Sequence, residues 1–156
     1  AQQKVAGNIF ASNLAVASDN TFVFVSSTMS APAEIFRGNA GSVIALTHVN
    51  KELMDQAGLR SAEEVEWTGA LGKKIQGFVV KPVDFDPNKK YPLIVIIHGG
   101  PQSAFNNNWG YRWNPQIFAN AGYVVFQPNP RGSTGYGQQL QTKSAVTGAA
   151  NPTSTL

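Results

Sequence analysis

Five apolar residues, Leu93-Ile94-Val95-Ile96-Ile97, run directly into His98-Gly99-Gly100-Pro101. A run this short and mostly β-branched, bounded by turn residues, reads as a strand buried on both faces. The two glycines then let the backbone turn sharply and leave bare N–H groups at the strand's carboxyl end. Downstream, the pattern predicts a helix over 113–121, stopped by Gly122 as its C′ residue. A further strand follows over 123–127 and ends in the rigid Pro128-Asn129-Pro130-Arg131-Gly132. Strand, helix and strand in this order form a βαβ unit, which requires a parallel pairing.

The front of the chain reads differently. Residues 1–19 are small and polar with weak patterning around Ile9-Phe10 and Leu14-Ala15-Val16. Strands are predicted over 21–27, 34–37 and 42–47, with turns at 30–33 and 38–41. Short strands at about 10-residue spacing with turn signals between them indicate antiparallel β structure. A single propeller blade has this appearance. A short helix follows over 50–58. The pair 65–68 and 75–80 forms a hairpin across a loop of more than two residues.

Composition narrows the chemistry. The chain is long enough for one domain with a real core. Its charged fraction, 13%, is about half the usual share. Net charge is +3 with no Lys/Arg block or stripe, so neither a nucleic acid nor a membrane surface is expected as a partner. No apolar run approaches the roughly 20 residues of a membrane-spanning helix. There is no cysteine, hence no disulfide, thiol nucleophile or cysteine-based metal site, and no metal or cofactor is expected. The compartment stays open. Asp86 is the last acidic residue, so no carboxylate can come from the second half of the chain.

Four ordered stretches resemble the prolyl oligopeptidase family of serine peptidases, especially its dipeptidyl-peptidase and acylaminoacyl-peptidase branches. They are Glu66-Trp67-Thr68 with Gly72 to Pro82, then Lys90 to Val95, then His98-Gly99-Gly100-Pro101-Gln102, then Asn129-Pro130-Arg131-Gly132-Ser133-Thr134-Gly135-Tyr136-Gly137. Phe22 to Asn50 resembles the last blade of that family's propeller. The resemblance implies an α/β fold: a partial α/β-hydrolase sheet with strands near 65–68, 75–80, 93–97 and 123–127, preceded by antiparallel strands of a propeller remnant. The implied domains are a remnant of the last blade over 1–60, the N-terminal part of the hydrolase domain over 61–137, and a tail over 138–156 that is disordered or translated out of frame. Leu71 departs from the family, which usually has Asp in that turn.

The same resemblance assigns His98, Gly99, Gly100 and Pro101 to the oxyanion loop, with the Gly100 N–H as donor. It places Asn129, Pro130, Arg131 and Gly132 in a loop near the active site. His98 is expected to be structural, its ring hydrogen-bonded nearby. Arg131 is expected to tie its loop to neighbouring carbonyls, and Trp109, Tyr111 and Trp113 to pack as core or rim. No G-x-S-x-G elbow exists in the chain, and no acid and histidine follow in the order such a triad needs. The catalytic residues are therefore expected to be absent, and the chain is read as a truncated piece of a serine peptidase, inactive alone. In the intact family the partner is a peptide substrate. The alternative is a non-catalytic binding or assembly module that associates with another copy through strand 93–97, which would lie at a sheet edge. Residues 144–156 also admit a back-translation that, read from its third nucleotide, encodes Arg-Gly-Asp-Trp-Gly-Gly-Lys-Pro-Tyr-Ile-Asp-Leu, text resembling the family's own continuation.

Overall fold

A computed structural model describes residues 10–39, 41–69, 72–100 and 102–136. It is rich in sheet, with two four-stranded sheets and few helices among the described residues. The chain divides into two compact units, residues 1–61 with 107–117, and 62–106 with 118–156. Segment 107–117, read from sequence as part of the second region, thus folds with the first. Its side chains explain why: Asn107 Oδ1 accepts the Met29 N–H at 2.9 Å, and buried Gln116 donates to the carbonyls of Met29 (3.3 Å) and Arg60 (2.7 Å).

The first unit holds an antiparallel meander of β1 (Phe10–Val16), β2 (Phe22–Thr28), β3 (Ala31–Gly38) and β4 (Val43–Ala45). β1 lies where the sequence has only weak patterning. Pairing with β2 creates it, and the register shifts between Ser12 and Ala15, where Asn13 takes a positive φ. Alternation along β2 and β3 puts Phe22, Phe24 and Phe36 on one face, with ring centroids 6.0 Å apart for the first pair and 5.5 Å for the second. The opposite face carries Val23, Ile35 and Ile44, all exposed. The turn after β3 is built by Asn39, whose side-chain oxygen accepts the N–H groups of Gly41 and Ser42. α1 (Lys51–Ala57) lies within the expected short helix over 50–58 and ends at Gly58 in the left-handed conformation.

The second unit holds a mixed sheet in the order β5-β6-β8-β7. β5 (Glu63–Thr68) and β6 (Lys74–Val80) form the expected hairpin. Leu71, whose turn the sequence puts in doubt, lies outside the described residues. β8 (Val124–Asn129) pairs antiparallel with β6 and parallel with β7 (Leu93–Val95). The connection from β7 to β8 runs through α2 (Pro115–Asn120), shorter than the predicted 113–121. Pro115 occupies the first helical position, Asn114 Oδ1 accepts the Gln116 N–H, and Trp113 sits at φ 56°, outside helical geometry. β8 runs on through Pro128, because that residue lies beyond the last residue paired with β7.

The core of the second unit is Ile75, Phe78, Val80, Val125 and Ala119. Gly77 lets Phe126 cross β6 and meet Trp67 at 5.5 Å. Burial of strand 93–97 on both faces is not observed. Leu93, Val95 and Ile97 are 59%, 42% and 54% exposed, while Ile94 and Ile96 turn to the half-buried face. β7 is the edge of its sheet, and among the described residues nothing covers that face.

Candidate functional site

The candidate site begins where β7 ends. The Ile96 N–H still pairs with the Phe126 carbonyl at 2.9 Å, so the chain leaves the sheet only at Ile97-His98. Gly99 and Gly100 are exposed, and neither N–H is engaged by a described residue. Gly100 takes φ 61°, which a residue with a Cβ adopts poorly. Pro101, assigned to the same loop from sequence, lies outside the described residues.

Both ends of this loop are fastened. The His98 ring packs edge-on against Phe105, centroids 5.3 Å apart. His98 Nε2 lies 2.9 Å from Ser133 Oγ. That hydroxyl donates to the Pro130 carbonyl at 2.7 Å, so its lone pair receives the His98 Nε2–H. The ring is thereby held in the tautomer protonated at Nε2, and Nδ1 is buried without a partner among the described residues. Ser133 is fully buried with its proton committed, which is structural chemistry rather than nucleophilic chemistry. The Thr134 N–H donates to the Ser103 carbonyl at 3.0 Å.

Asn129 makes the densest set of contacts. Fully buried at the end of β8, its Oδ1 accepts the Phe105 N–H at 2.7 Å. Its Nδ2 group has three acceptors within reach, the Phe105 carbonyl (3.0 Å), Gln76 Oε1 (2.7 Å) and Tyr136 Oη (3.0 Å), which share its two hydrogens. Tyr136 donates to Gln76 Oε1 in turn, and Gln76 Nε2 donates to Glu64 at 3.0 Å. Partial burial raises the Tyr136 hydroxyl above its ordinary pKa; the Asn129 hydrogen bond opposes this, while Glu64 and Glu66 add to it. Sequence reading named Asn129 but missed Gln76, Phe105 and Tyr136 as its partners. An isolated glutamine in a predicted strand carries no such signal.

The other predicted residues divide. Pro130 and Gly132 are buried beneath the loop. Arg131, expected to tie its loop to carbonyls, is half-buried and makes no hydrogen bond or ion pair with a described residue. The aromatic cluster belongs to the first unit. Trp109 is half-buried and meets Tyr111 edge-on, but Tyr111 is 85% and Trp113 64% exposed, so packing accounts for Trp109 alone. Among the described residues no group of three His, Asp or Glu side chains could hold a metal, and no helix is long and apolar enough to cross a membrane.

The candidate site of this sheet-rich chain thus lies at the carboxyl end of β7, the strand that pairs parallel with β8. A family model described as the prolyl oligopeptidase family matches residues 109–147. The probable dipeptidyl-peptidase 5 of Emericella nidulans is 38% identical over 147 residues, which is 88% of this chain and 20% of that protein. Dipeptidyl-peptidase 5 of Schizosaccharomyces pombe is 48% identical over 92 residues, covering 59% of this chain and 14% of that protein. Among solved structures, an acylaminoacyl peptidase of Pyrococcus horikoshii superposes with TM-score 0.77 at 22% identity, covering 91% of this chain and 22% of that one. The chain belongs to the prolyl oligopeptidase family of serine peptidases. It spans 20% or less of the length of these curated relatives.

Proposed function

We propose that this chain carries the oxyanion loop of a serine peptidase acting on peptide substrates, and that these 156 residues alone do not hydrolyse a peptide bond. The observation that carries the reading is the pair Gly99-Gly100. Their N–H groups are free of described partners at the end of a parallel strand, on a loop fastened at both ends. Preorganised donors of this kind stabilise the oxyanion of an acyl-transfer intermediate, typically by about 2.7–4 kcal/mol each in an assembled site. The nucleophile, acid and base would come from outside this sequence, which contains no G-x-S-x-G elbow. The first four strands fit a blade of a β-propeller, since both faces of that sheet are apolar and one face is bare. The second sheet fits the early strands of an α/β-hydrolase. In this reading residues 1–60 are the blade, 61–137 the hydrolase part and 138–156 an out-of-frame tail. That tail lies outside the described residues; the DNA beyond the Tyr136 codon tests it. A fluorophosphonate probe tests the main proposal: the expected result is no labelled serine, and covalent capture by this chain alone overturns it.

A second reading is favoured by the bare edge of β7. Its exposed Leu93 and Val95, with Ile97 just beyond, and its unpaired backbone groups would pair with a second copy. Sedimentation should show a dimer that Val95→Lys dissociates without loss of β structure; a monomer at all concentrations refutes this association.

A further inference from the structure

We infer that the Asn129 side chain is the positioning residue of the 98–105 loop, with Gln76 and Tyr136 orienting its amide. The inference rests on reading Gly99 and Gly100 as oxyanion donors. A glycine pair has little conformational preference of its own, so it presents N–H groups in one direction only when its flanks are fixed. One flank is β7. The other is Phe105, and there a single amide grips both backbone groups, Oδ1 on the N–H and Nδ2 on the carbonyl. This grip specifies Asn. Aspartate would accept the Phe105 N–H but donate nothing to the Phe105 carbonyl or Gln76 Oε1. The amide cannot flip either. Gln76 Oε1 and the Phe105 carbonyl both demand a donor on the same side, and Gln76 is itself oriented by Glu64 and Tyr136.

The test reads the loop, not hydrolysis. Amide hydrogen exchange is measured across the full chain for the wild type, Asn129→Ala and Asn129→Asp. In Asn129→Ala the Phe105 N–H, the amide of the segment that Asn129 holds, should exchange about tenfold faster or more, as expected when its hydrogen bond is removed. The β6–β8 ladder at Val79 and Phe126 should keep its protection. In Asn129→Asp the carboxylate still accepts the Phe105 N–H but repels the Phe105 carbonyl and Gln76 Oε1, so Phe105 exchange at neutral pH should exceed the wild type's and fall back as the new carboxyl protonates and regains a donor. Glu64, Glu66, Tyr136 and His98 are the ionisable groups around the amide and its partners, and the wild type over the same pH range removes their contribution. A role in packing alone would give no such recovery. If Asn129→Ala unfolds the ladder, Tyr136→Phe replaces it, with exchange of the Phe105 N–H expected to rise severalfold. Unchanged loop exchange over an intact ladder, or an Asp variant insensitive to pH, overturns the inference. Failure of the oxyanion reading is a separate result: the loop would be held as described, while Gly100→Ala in the complete peptidase would leave its turnover unchanged.

Discussion

Gly77 sits in β6 opposite Pro128, and the residue type there is set by its neighbours rather than by the strand. In an open strand, replacing glycine with alanine should stabilise by about 0.5–1 kcal/mol, through lost freedom in the unfolded chain. Here an added Cβ would lie 2.9 Å from the Gln127 carbonyl oxygen, 2.9 Å from Phe126 Cε2 and 3.1 Å from Pro128 Cα. Two of these three atoms are backbone of the adjacent strand and cannot move without breaking the β6–β8 register. Overpacking of this kind costs about 1–3 kcal/mol, so the sign reverses and Gly77→Ala should lose roughly 1–2 kcal/mol net. Urea unfolding, read by Trp67 fluorescence in a background with Trp109 and Trp113 replaced by Phe, reports the second unit through the Trp67–Phe126 pair. At a slope of about 1–3 kcal/mol per molar urea, the midpoint should fall by roughly 0.5–1 M. Gly99→Ala is the control: nothing lies within 4 Å of its Cβ, and its stability should stay within about 0.5 kcal/mol of the wild type. A Gly77→Ala variant as stable as the wild type, or more so, refutes the close-approach argument.

Ile75 is 1% exposed, and Ile75→Ala should cost about 2–5 kcal/mol in the same unfolding experiment, while Ile75→Val should cost about 0.5–1.5. Glu34 is held below its ordinary 4.5 chiefly by the Thr47 hydroxyl, and by backbone N–H groups of Asn50 and Val49. Its folded pKa is the lower one, so its contribution is complete above about pH 4.5 and fades as pH falls through the depressed value. Carboxyl NMR titration and urea midpoints should show this, and Glu34→Gln should remove it. Tyr136 is raised above its ordinary 10.0. The protonated form is favoured in the folded state, so its contribution is full below about pH 10 and lost as pH rises through the higher value. Tyrosinate absorbance should show a step above the ordinary tyrosine value, and Tyr136→Phe should abolish that step.

Local chemistry determined much of what this sequence shows by itself. The β-branched run before His98-Gly99-Gly100, the stop at Gly122 and the hairpin across 69–74 are dictated by side-chain period and glycine geometry over a few residues. The resemblance to prolyl oligopeptidases rests on such short motifs too. Only the tertiary structure decided the rest, because those features depend on partners distant in sequence. β1 exists through its pairing with β2 and not through its own pattern. Strand 93–97 shows the same apolar text whether both of its faces are covered or one, and its place at the sheet edge leaves one bare. The segment 107–117 follows the loop in sequence, but hydrogen bonds to Met29 and Arg60 draw it into the first unit. Asn129, Gln76, Phe105 and Tyr136 lie up to 60 residues apart, and no spacing rule brings one amide onto both backbone groups of one residue.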